Sequence, residues 1–162
     1  MSAIHYNADE ILEMAEQIER NGANFYARTA ENTDDPEAKK LLLELSVWER
    51  EHEKTFAEMR EELRGQHDEA DVDDLAGSYL RAIADGHVFD IQTDPAELLS
   101  GNESLEEILN MAIDQEKNSI IFYLGMQVEM PDLLGTGRVE KIIREEMGHI
   151  AMLSNKLSEL AG

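Results

Sequence analysis

Glu49-Arg50-Glu51-His52 and Glu146-Met147-Gly148-His149 are the same Glu-x-x-His tetrad, 97 residues apart, and each follows a lone glutamate by 30 residues, Glu19 in one case and Glu116 in the other. Residues three apart share a face of an α-helix, so each tetrad aims a carboxylate and an imidazole at the same neighbour. The same offset lays Glu10 on Glu107, Ile11 on Ile108, Leu12 on Leu109, Met14 on Met111, Ala15 on Ala112, Asn21 on Asn118, Phe25 on Phe122 and Tyr26 on Tyr123. The pattern is that of a duplicated helical hairpin. In a four-helix bundle, two helices giving one glutamate each and two giving Glu-x-x-His furnish four carboxylates and two imidazoles, the ligand set of a di-iron or di-manganese centre.

Helical register decides whether these polar side chains lie inside. Alternating steps of three and four residues along the second long helix give Leu42, Leu45, Glu49, His52, Phe56, Met59 and Leu63; along the fourth they give Val139, Ile142, Glu146, His149, Leu153, Lys156 and Leu160. The first long helix gives Ala8, Leu12, Ala15, Glu19, Gly22, Tyr26 and Thr29, and the third gives Leu105, Leu109, Ala112, Glu116, Ser119, Tyr123 and Met126. In every case acid interrupts the core stripe. Four carboxylates in a dry core without counter-charge cost roughly several kcal/mol each, enough to exceed the stability of a domain this size. Two divalent cations offset the four negative charges, and neutral imidazoles add ligands without adding charge. A metal-free interaction bundle is the competing reading, and the buried charge argues against it.

The first helix is expected from Asp9 to about Ala30, with Asn7 or Asp9 as its cap, and the second from about Glu37 to Arg64, with Pro36 in its first turn. The polar turn between them lies midway between Glu19 and Glu49, so the two face each other at one height of an antiparallel pair. The second hairpin runs from about Leu105 to Met130, through a glycine-containing turn at 131–137, and from Arg138 to Leu160. Residues 65–104 form a crossover, with a short helix at Asp73–Ala84 and a capped helical turn at Thr93–Leu99. The expected fold is all-α, a four-helix bundle of two duplicated hairpins joined by a long crossover. We read residues 1–162 as a single domain, with hairpin one at about 9–64, the crossover at about 65–104 and hairpin two at about 105–160.

The longest apolar run, Ile120 to Leu124, is far too short to span a bilayer, and the first residues lack a basic start followed by an apolar stretch. Membrane insertion and secretion are not expected, and cytoplasm is the expected location. The chain has no cysteine, which excludes thiolate metal sites, iron–sulfur clusters and a rubredoxin-type iron site within it. A net charge of −22 repels nucleic acid and anionic membranes and attracts cations. The phenols of Tyr26 and Tyr123 stand two turns beyond Glu19 and Glu116, placed to hydrogen-bond a ligand carboxylate. His5, His67 and His87 have no matched partner and read as surface residues. Glu13, Glu16, Glu51, Glu53 and Glu145 fall on outward phases and read as solvated. Trp48 and the eight methionines read as packing or subunit-contact residues.

In Glu49-Arg50-Glu51-His52, in Glu145-Glu146-Met147-Gly148-His149, and in the middle stretch from Tyr79-Leu80-Arg81-Ala82-Ile83-Ala84 to Phe89, the chain resembles the rubrerythrin family of the ferritin-like superfamily over nearly its whole length. The resemblance implies Glu19, Glu49, His52, Glu116, Glu146 and His149 as ligands of two iron ions, a homodimer or larger homo-oligomer, and chemistry on O₂ or H₂O₂. Manganese is accepted by the same carboxylate–imidazole set. Two departures stand out. The cysteine-rich rubredoxin domain that delivers electrons in peroxide-reducing rubrerythrins has no counterpart in this chain, so electrons would come from a partner such as a rubredoxin-like protein. Where those enzymes carry an extra glutamate one turn after the third-helix ligand, this chain has Ser119. The expected function is oxidation of Fe(II) by hydrogen peroxide or O₂, as peroxide reduction or ferroxidase activity. The alternative is non-catalytic iron binding, storage or delivery.

Overall fold

Asn7 opens the first helix by a reciprocal cap: its side-chain oxygen accepts from the Glu10 amide at 2.9 Å, and the Glu10 carboxylate accepts from the Asn7 amide at 2.9 Å. Ninety-seven residues on, Ser104 and Glu107 repeat the cap at 3.1 and 2.7 Å. The duplication therefore extends to the signals that start helices. The computed structural model describes residues 7–64, 74–84, 86, 90–129 and 137–162. Its helices are α1 (Ala8–Glu31), α2 (Pro36–Arg64), α3 (Asp74–Ala84), α4 (Leu105–Glu129) and α5 (Arg138–Ala161), with a 3₁₀ turn at Pro95–Leu98. Each falls within a residue of its expected helix, and the 3₁₀ turn lies inside the expected capped turn, where Asp94 accepts from the Ala96 amide at 2.9 Å. The second hairpin's turn at 131–136, the crossover stretch 65–73, and His5, His67 and His87 lie outside the described residues.

Residues 32–35 alone join α1 to α2, so two helices that pack along their length run antiparallel. Asp35 accepts from the Glu37 amide at 3.0 Å, and Pro36 occupies the first helical position, where its missing N–H costs nothing. The pair α4–α5 packs likewise, and contacts of α1 with α4 and of α2 with α5 close the bundle. The crossover is pinned to this frame. Asn21 donates to the Ile91 carbonyl at 2.9 Å and Asn24 to Asp94 at 2.9 Å, while Tyr79 on α3 donates to the Ile121 carbonyl at 2.8 Å. Among the described residues no helix is long and apolar enough to cross a membrane.

The core divides into two apolar halves. One gathers Leu12, Phe56, Leu80, Phe122 and Ile142 with their neighbours; the other gathers Phe25, Leu42, Leu45, Leu109 and Leu153. Every long helix crosses from one half to the other: α1 and α5 begin in the first, α2 and α4 in the second. The crossover thus returns the chain to the opposite end of the bundle, as the sequence predicts. On each helix the residues between the two halves are the predicted ligands. The core stripes are buried as read, except that Leu160 is 44% exposed at the C-terminal end of α5 and Leu63 and Leu105 are half-buried. Lys156 does not extend freely into water. Its ammonium pairs with Asp35, Glu37 and Glu159 at 3.3 to 3.4 Å.

Candidate metal centre

Glu19, Glu49, His52, Glu116, Glu146 and His149 converge in the belt between the two apolar halves, none more than 4% exposed. Their donor atoms form two groups, each mutually within 4.8 Å: Glu19, Glu49, His52 and Glu146 in one, Glu49, Glu116, Glu146 and His149 in the other. Glu49 and Glu146 belong to both. A carboxylate has two oxygens, so these two glutamates can each face both groups, while Glu19 with His52 and Glu116 with His149 complete one group apiece. The assembly has the approximate twofold symmetry that the 97-residue repeat predicts.

Both imidazoles turn Nδ1 inward. His52 Nδ1 lies 3.0 Å from Glu146 and 3.4 Å from Glu19; His149 Nδ1 lies 2.9 Å from Glu146, 3.2 Å from Glu49 and 3.5 Å from Glu116. Gly22 makes room for this arrangement. A Cβ there would stand 2.9 Å from a Glu49 carboxylate oxygen.

Burial without enough donors leaves its mark on protonation. Desolvation, then repulsion from the neighbouring glutamates, pushes the Glu49 and Glu146 carboxyls well above the usual range. Burial works against charged imidazole, yet the adjacent Glu19 carboxylate holds His52 up at about 9, and the adjacent Glu116 and Glu146 carboxylates hold His149 up at about 12. Burial also pushes Glu116 upward, but hydrogen bonds from Glu146 and His149 outweigh it and hold its carboxyl low.

The test of fit lies in the orphaned atoms. Among the described residues, the buried side-chain oxygens and nitrogens without a hydrogen-bond partner are Glu19 Oε2, Glu49 Oε1, His52 Nδ1, Glu116 Oε2, Glu146 Oε1 and Arg81 Nε. Five of the six belong to this belt and all five can donate a lone pair. Four of the five face an imidazole or a carboxylate of the belt at 3.0 to 3.4 Å outside hydrogen-bond geometry, so lone pairs converge with no proton aligned between them, the arrangement of a cation-binding donor set. Carboxylate oxygen and imidazole nitrogen without thiolate suit iron or manganese.

Both predicted tyrosines reach the belt, but crosswise. Tyr26 on α1 donates to Glu116 on α4, and Tyr123 on α4 donates to Glu19 on α1. Burial and the adjacent carboxylates raise both phenols well above their usual range, so they remain donors.

Several outward readings need correction. Glu145 is no free solvated acid: its carboxylate meets His52 Nε2 at 2.9 Å. Glu16 is buried beside Arg60 at 3.5 Å, and Glu53 is held between Arg20 at 2.8 Å and Arg50 at 3.0 Å. Their phases lie at the edges of the core stripe, where a guanidinium on the neighbouring helix draws a carboxylate inward. Trp48 is 36% exposed, and its indole stacks on His149, with ring centroids 5.4 Å apart and planes 9° apart. A pocket of about 250 Å³ reaches the belt between α1 and α4, bordered by Gly22, Tyr26, Glu49, Glu116 and Ser119 and roofed by Ile91 and Thr93 of the crossover.

Comparison with known proteins agrees with this geometry. The family model for rubrerythrin matches residues 10–157. A solved structure of a ferritin-like diiron-carboxylate protein from Thermotoga maritima superposes with a TM-score of 0.73 at 28% identity, covering 97% of this chain and 98% of that one. No curated protein matches the chain. A repeated ligand pattern spanning four helices, a ferritin-like bundle that buries it, and a family match over almost the whole length converge: the chain belongs to the rubrerythrin family.

Proposed function

We propose that this protein is a di-iron oxidoreductase that oxidises Fe(II) with hydrogen peroxide or O₂. The observation that carries the reading is the sharing of Glu49 and Glu146 by two four-residue donor groups. Glu49 and Glu146 would bridge two iron ions, with Glu19 and His52 completing one position and Glu116 and His149 the other. Bound there, a pair of ferrous ions supplies two electrons, enough to reduce one peroxide to water. We take residues 1–162 as one functional unit, because each hairpin contributes three of the six ligands.

The chain's own residues do the rest. Tyr26 and Tyr123 hold Glu116 and Glu19 by hydrogen bonds, which fixes the carboxylates before the ions arrive. The two apolar halves of the core exclude water above and below the belt. The pocket of about 250 Å³ beside Gly22 and Ser119 is roomy enough to admit H₂O₂ or O₂ to the belt. An extra acid at position 119 would narrow this entrance; a serine whose hydroxyl donates back to the Gln115 carbonyl at 3.1 Å leaves it open. Restoring the ferrous state needs an external one-electron donor, for which a rubredoxin-like protein is the class we propose.

The test is anaerobic loading with Fe²⁺ followed by rapid mixing with H₂O₂ or with O₂. About two irons per chain are expected, with faster oxidation by the physiological oxidant. Stoichiometric binding without rapid oxidation by either would favour storage or delivery.

A further inference from the structure

The repeat that matches the ligands breaks one residue before each Glu-x-x-His tetrad: position 48 is tryptophan and its counterpart, 97 residues on, is Glu145. Both side chains line the same groove of about 690 Å³ between α2 and α5, each against the histidine of the opposite helix. Glu145 meets the outer nitrogen of His52, Nε2, at 2.9 Å, whereas Trp48 lays its indole over the His149 ring. Among the described residues no carboxylate reaches His149 Nε2.

From this broken symmetry we infer that the two metal positions are unequal and fill in order, the Glu19–His52 position first, with Glu145 as the positioning residue that sets the order. The inference rests on the dinuclear reading above. With Nδ1 turned to the ligand cluster, a neutral His52 carries its remaining proton on Nε2, and the Glu145 carboxylate accepts it. A carboxylate in that place fixes ring orientation and makes the coordinating nitrogen a better electron donor; losing such a partner typically weakens metal binding about 10- to 100-fold. The stacked indole covers a face of the His149 ring but places no negative charge on its N–H. Lys141, 3.7 Å from the far oxygen of Glu145, leaves the oxygen facing His52 free to accept.

Repulsion between two cations would separate the binding steps even in a symmetric site, so two steps alone decide nothing. The decisive observation is which histidine responds first. Zn²⁺, which is diamagnetic and does not change oxidation state, is titrated into metal-free protein while the imidazole nitrogens are followed by NMR and the heat by calorimetry. At one Zn²⁺ per chain the His52 resonances are expected to move and those of His149 to stay. Glu145→Leu should weaken the first step about 10-fold or more and spread the first equivalent over both histidines. Glu145→Gln, which keeps an acceptor without its charge, should fall between. Trp48→Leu should leave the order intact. Unaltered helical content by circular dichroism and an unchanged total of two Zn²⁺ separate a positioning role from damage to the fold. Simultaneous movement of both histidines in the unaltered protein, or a first step indifferent to Glu145→Leu, would overturn the inference. Fewer than two Zn²⁺ per chain would instead overturn the dinuclear reading, and the ordering with it.

Discussion

Tyr123 on α4 donates its phenolic hydrogen to Glu19 on α1, 104 residues away, and so ties the first long helix to the third at the height of the carboxylate–imidazole belt. Tyr26 returns the bond in the opposite sense, from the other half of the core. Since each phenol holds a carboxylate that belongs to a single donor group and neither phenol lies in a donor group itself, Tyr123→Phe should still bind two metals per chain. Affinity at the Glu19 position should drop by up to about 10-fold, and the rate of iron oxidation should change. Calorimetry and stopped-flow absorbance check the two halves of this expectation.

Shared and unshared carboxylates should behave differently when deleted. Glu49→Ala or Glu146→Ala removes a side chain from both donor groups and should abolish binding of both ions. Glu19→Ala touches one group only and should leave about one metal per chain. Elemental analysis after anaerobic loading distinguishes them, and equal metal content in all three variants would contradict the bridging assignment.

Protons and cations compete for the same belt. Glu49, Glu146, His52 and His149 all have folded-state values raised above their ordinary ones. A group with a raised folded value stabilises the fold below its unfolded value and loses that contribution as pH climbs through the folded one. For His52 that window runs from 6.5 to about 9. Metal-free protein should therefore melt at a lower temperature at pH 9 than at pH 6. Bound metal replaces the protons, so the rise in melting temperature on adding metal should grow with pH, and binding should release protons into a weakly buffered indicator solution.

Gly22→Ala separates fold from ligand. The new methyl would meet the far end of a flexible side chain, the Glu49 carboxylate, rather than backbone. Alanine is favoured over glycine in a helix by about 1 kcal/mol. The metal-free variant should accordingly fold and melt at or above the temperature of the unaltered protein, while metal affinity falls because Glu49 must swing aside. Thermal melts with and without metal give both readouts.

The linear text determined a great deal here, because a polar residue in an apolar stripe is a local signal and the stripe was written twice. Helix limits, the convergence of six acid and imidazole side chains and the facing of Glu19 and Glu49 all follow from period and repeat. Capping residues, turn residues and core spacing act within a few positions of one another, and the 97-residue offset supplied the long-range pairing that a single copy would have lacked. Three things required the folded chain. Only packing shows that each tyrosine serves the opposite hairpin, since a phenol two turns from its own glutamate faces the neighbouring helix. Only packing draws Glu16 and Glu53 to guanidiniums across the α1–α2 interface. And only packing sets Glu145 against His52 and Trp48 against His149, because the ring that each one meets belongs to the other hairpin and its distance depends on how α2 and α5 approach.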